Sequence, residues 1–74
     1  MDTLQIQVQV EKSQLSFVDK ILKAYEGLAM VTVVGSEGDI GLLNLEVTPG
    51  TKEDVLKILN NLQNKVNLEI VKSE

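Results

Sequence analysis

Apolar residues recur along this chain with period two, then the helical period, then two, two, helical and two again. That order predicts an α+β fold, a βαββαβ ferredoxin-like sandwich. Its antiparallel sheet would have the order 4-1-3-2, with two helices on one face. Two further observations agree. Gly27, the Gly35–Asp39 stretch and Thr48-Pro49-Gly50 fall between the periodic segments, where the chain has to turn. No composition shift, low-complexity stretch or charge run divides the 74 residues, so a single domain, 1–74, is expected.

The first strand is read over residues 3–10, with Leu4, Ile6, Val8 and Val10 on one side and Gln5, Gln7 and Gln9 on the other. The first helix is read over 14–26. Ser13 and Ser16 are candidate N-caps, and Ser16 with Asp19 has capping-box spacing. Phe17, Val18, Ile21, Leu22, Tyr25 and Leu28 form its apolar stripe at 100° per residue, and Gly27 is the expected stop. Strands over 29–34 and 40–47 form a hairpin across a loop at 35–39, in a register that sets Val34 against Ile40 and Val31 against Leu43. Thr51 caps a second helix over 52–65, with Asp54 completing a capping box. Val55, Leu59, Leu62 and Val66 are its core stripe, widened by Leu56 and Ile58. The last strand, 67–72, turns Leu68 and Ile70 inward. The expected core brings Leu4, Ile6, Val8, Val31, Val33, Leu43, Leu45, Leu68 and Ile70 against Phe17, Ile21, Leu59 and Leu62.

Composition excludes several activities that this fold can carry. The chain has seven Lys, no Arg, eleven Asp plus Glu and a net charge of −4, which disfavours a nucleic-acid partner. The only aromatics, Phe17 and Tyr25, belong to the first helix, whereas base stacking in an RNA-recognition sheet uses aromatics on the central strands. Phosphate hydrolysis of the acylphosphatase kind needs an Arg fork. Without His or Cys there is neither a soft-metal site nor a Ser-His or Cys-His nucleophile. Glu37 and Asp39, flanking Gly38, fall short of a cation loop and read as a solvated turn. No catalytic, cofactor-binding or metal-ligating residue is therefore expected, and no cofactor. No apolar run reaches the ~20 residues of a membrane span. The N-terminal residues lack the basic-then-apolar pattern of a signal peptide, and the absence of Cys fits a cytoplasmic protein.

What remains is surface. The second strand carries no charge and no proline, yet the expected order puts it at a sheet edge, where natural proteins normally place such guards. Met30, Thr32, Val34, Ile40 and Leu42 fall on the sheet face that the helices leave open, and they are the candidate interface residues. A domain this small, without disulfide or metal, has partner subunits as its remaining source of stability. A homo-oligomer, most simply a dimer, is expected, with pairing of the edge strands somewhat ahead of stacking of the open faces.

Residues Leu22-Lys23-Ala24-Tyr25-Glu26-Gly27-Leu28-Ala29, with Leu45-Glu46-Val47-Thr48-Pro49-Gly50-Thr51 leading into the second helix, resemble a small bacterial family of uncharacterised single-domain proteins found mainly in Firmicutes. More distantly the chain is similar to ACT-type regulatory domains. That resemblance implies dimerisation through the sheets and an amino-acid site near the first strand–helix loop. A glycine is typical of that loop, and Glu11-Lys12-Ser13-Gln14 has none. The expected function is that of a non-enzymatic ACT-like domain that self-associates and takes a small-molecule effector or a protein partner. A purely structural interaction module and an enzyme of unrecognised type are the alternatives.

Overall fold

The computed structural model describes residues 3–25 and 27–73; Glu26, assigned above to the first helix, lies outside the described residues. The elements are β1 (Leu4–Glu11), a short 3₁₀ turn (Lys12–Gln14), α1 (Leu15–Lys23), β2 (Met30–Glu37), β3 (Ile40–Val47), α2 (Lys52–Gln63) and β4 (Leu68–Ser73). The four strands form one antiparallel sheet in the order β2-β3-β1-β4, which is the expected order read from the other edge. The architecture is α+β and consistent with a ferredoxin-like fold.

Alternation in the two central strands sets the core. Ile6, Val8 and Val10 of β1 and Leu43, Leu45 and Val47 of β3 are all buried. Val18 and Leu22 of α1 close over them, as do Val55, Leu59 and Leu62 of α2, with Ala29, Val66 and Leu68 filling the ends. Two expected core residues are not there. Phe17 is 51% exposed and Val33 is 47% exposed. The buried line of α1 is Val18 and Leu22, flanked by half-buried Leu15, and at 100° per residue Phe17 sits roughly 130° from its centre. Val33 opposes buried Leu43 but lies on the outermost strand, at the rim of the helical layer.

The helix ends differ from the capping expectation. α1 follows directly from the 3₁₀ turn, Gln14 occupies its N-cap position, and no side chain bonds the cap. The Ser16–Asp19 box cannot form, because both residues are already inside the helix; Asp19 instead pairs with Lys23 at 3.1 Å. The helix stops at Lys23, ahead of Gly27. Thr51 does stand at the N-cap of α2, but its hydroxyl turns backwards, accepting the Thr48 N–H at 3.0 Å. Asp54 therefore contributes only charge at a helix N-terminus, not a capping box.

The β2–β3 hairpin is longer and tighter than expected. Both strands continue until Glu37 faces Ile40, leaving Gly38 and Asp39 as the loop. Gly38 has φ of 60° and no non-glycine residue described has positive φ, which is the sign pattern of a II′ turn. The register moves by two residues, so that Val31 faces Leu45 and Val33 faces Leu43. A shift of two keeps every side chain on its expected face up to Val33.

Candidate functional site

The helices cover one face of the sheet and leave the other open. Along β1, β3 and β2, the residues alternating with the buried set present a small grid on that open face. Its end rows are Gln5–Glu46–Met30 and Glu11–Ile40–Glu37. Its middle rows are Gln7–Asn44–Thr32 and Gln9–Leu42–Gly35. Met30 is 67% exposed and Ile40 39%, Thr32 is exposed, and Leu42 is half-buried. A shallow depression of about 190 Å³ lies between Gln9, Glu37, Ile40 and Leu42. Four of the five candidate interface residues, Met30, Thr32, Ile40 and Leu42, therefore share one face.

Val34 departs from that set. The ladder pairs Val33 with Leu43 and then Gly35 with Leu42, so Val34 is the extra residue of a β-bulge, 58% exposed. The opposite edge has the same device. Ile70 pairs with Val8 and Lys72 with Gln7, leaving Val71 as the extra residue, 46% exposed. A period-two reading cannot locate either bulge, because each inserts one residue without changing composition.

Asn44 stands in the middle of the open face between Gln7 and Thr32. Its Oδ1 is shielded from solvent without a hydrogen-bond partner among the described residues, as is Asp19 Oδ1 on α1. An acceptor left in that state costs about 1–3 kcal/mol.

A second feature closes the end of the domain beside the first strand–helix connection. The Glu11 N–H donates to the Asn67 carbonyl at 3.2 Å, and Lys12 N–H to the Asp39 carbonyl at 2.6 Å. Asn67 donates its backbone N–H to Gln14 Oε1 at 3.1 Å and its Nδ2 to Glu11 Oε2 at 2.9 Å. Gln63 Nε2 donates to the Leu68 carbonyl at 3.2 Å. These bonds tie the hairpin tip, the 3₁₀ turn and the α2–β4 connection around an open cleft of about 490 Å³, lined by Glu11, Asp39, Glu69, Gln9, Gln63 and Asn67 among others. Sequence reading missed Gln14 and Asn67, since bonds spanning 53 and 56 residues leave no local signal, and it missed Gln63, whose bond reaches across the α2–β4 connection.

The helical layer has a groove of its own, about 350 Å³, between Ile21 of α1, Tyr25 just beyond it, and Ile58 and Leu62 of α2. Tyr25, expected in the core stripe, is 45% exposed. Among the described residues there is no group of three or more His, Cys, Asp or Glu placed to hold a metal ion, and no helix long and apolar enough to cross a membrane. Among the described residues the geometry offers an open sheet face and a polar cleft beside Glu11, and it brings no nucleophile, base and orienting group together.

No curated protein and no solved structure matches the chain. A family model described as a domain of unknown function, DUF4911, matches residues 8–66, from the middle of β1 to just beyond α2. The match takes in most of the chain, including the hairpin and both helices, and the protein belongs to the DUF4911 family.

Proposed function

We propose that this domain is a non-enzymatic, ACT-like module of the bacterial cytoplasm that works by associating with a second copy of itself. The observation that carries the reading is the open sheet face, which the helices do not reach: Ile40 is exposed next to half-buried Leu42 at one end of it, and Met30 is exposed at the other end. Exposed apolar side chains on an uncovered sheet face favour a contact surface. A second copy is the partner that needs no further component, and a two-fold dimer is the commonest closed arrangement. The missing His, Cys and Arg support a binding role over catalysis. The cytoplasmic assignment rests on the absence of cysteine.

A second reading, effector binding, is favoured by the cleft beside Glu11. Its volume of about 490 Å³ falls in the range of small-molecule sites, roughly 300–1,000 Å³. Thermal unfolding tests both. A self-associating domain has a melting midpoint that rises with protein concentration, and an effector raises it at fixed concentration. A midpoint constant across concentration counts against self-association, and one unmoved by a panel of amino acids and other small metabolites counts against the effector reading.

A further inference from the structure

We infer that the second copy lies on the open sheet face, centred on the Gln7–Asn44–Thr32 row, and that the two sheet edges are closed to it. The inference rests on the self-association reading and adds the surface.

Both edges are interrupted. The Val34 bulge divides β2 into Met30–Val33 and Gly35–Glu37, and the Val71 bulge divides β4 in the same way. Edge addition needs a straight row of free N–H and C=O groups. Bulges bend and twist the strand, and they are one of the devices by which natural sheets prevent such addition. The uncharged stretch Met30–Val34 of β2 is thus guarded by its backbone instead of by its side chains.

The open face has the opposite character. Its middle rows, Lys72–Gln7–Asn44–Thr32 and Glu69–Gln9–Leu42–Gly35, carry charge only at the β4 edge and none on β1, β3 or β2. The charged positions Glu46, Glu37 and Glu11 occupy the end rows. An uncharged centre with a charged, wet rim is the usual composition of a protein interface. Because all three end-row charges are acidic, a rim exposed to water is also the only arrangement in which two identical acidic copies avoid burying like charges. The size is of the right order. Three strands of eight residues and one of six give a face of about 480 Å² before side-chain relief is counted. A standard interface takes about 800 Å² of accessible surface from each partner. Asn44, whose Oδ1 has no donor, stands at the centre. A copy laid over this row dries Gln7 and Thr32 too, leaving their donors to the buried acceptors of the interface.

Sedimentation equilibrium of Asn44→Asp and Gln7→Lys tests the placement, because both residues lie on the interior strands and neither belongs to an edge. Circular dichroism and thermal unfolding of each variant establish that it folds. Each places a charge at the dry centre and is expected to weaken the dimer by about a hundredfold. Amide exchange followed by NMR supplies a readout on the unmodified protein. The edge amides within Met30–Val33 should exchange equally fast at monomeric and dimeric concentrations. A wild-type chain that stays monomeric defeats the self-association reading itself. A wild-type dimer that survives both substitutions, or whose Met30–Val33 amides become protected on dimerising, leaves that reading standing and overturns the placement on the open face.

Discussion

At Gly41 the inner side of β3 is bare, and Leu15 fills the space. A Cβ built on Gly41 would stand 2.8 and 2.9 Å from the Leu15 methyl carbons and 3.2 Å from its Cγ. The methyls can rotate, but contact at Cγ means the whole side chain must shift, and α1 begins at that residue. Gly41→Ala should therefore cost about 1–3 kcal/mol in urea unfolding. Gly35→Ala, with no atom within 4 Å of the added carbon, should be neutral or slightly stabilising. Equal stability of the two variants would show that Leu15 does not seat on Gly41. Phe17 and its neighbour Val18 make a second contrast. Val18 is fully buried and Phe17 half exposed. Val18→Ala should lose about 2 kcal/mol or more, and Phe17→Ala less than about 1 kcal/mol, despite removing the larger group. The opposite order, read by the same unfolding midpoints, would return Phe17 to the core.

At the scale of elements, α2 behaves as its stripe demands, and Leu59 is its fully buried centre. Leu59→Ala should destabilise by about 2–5 kcal/mol, and a loss within error would mean that α2 does not pack there. The latch around Asn67 is weaker, being exposed: Asn67→Ala removes the bond to Glu11 but keeps the backbone bond to Gln14, and should cost about 0.5–1.5 kcal/mol by chemical denaturation. Strand alternation and the stripe of α2 were legible in the sequence because each is a local pattern with a fixed period; the turn at Pro49-Gly50 was legible in its place but not in its type, because Gly50 does not take the positive φ of the type II turn that a Pro-Gly pair suggests. The stripe of α1 was legible only as a broad apolar sector. Which margin of that sector meets the sheet depends on how the helix is rotated, and rotation is set by Leu15 against Gly41, a contact 26 residues apart in the chain. The bulges at Val34 and Val71 and the Asn67 latch are likewise fixed by partners on other strands. Of the candidate site, the face of Met30, Thr32, Ile40 and Leu42 was readable from alternation, and the bulge that interrupts the β2 edge was not.

At the scale of the molecule, the chain exposes 4689 Å². A folded monomer of its mass exposes about 4,500 Å², so the core is as closed as in an ordinary small protein. The domain holds itself together through one sheet and two helices, and the open face is surface in excess of what folding requires. The proposed self-association would add stability that grows with the logarithm of protein concentration. Sedimentation equilibrium of the unmodified protein measures this directly. A mass moving from 8.1 kDa towards twice that value as concentration rises into the micromolar range is the result expected of a dimer. A mass that stays at 8.1 kDa up to high micromolar concentration would contradict it.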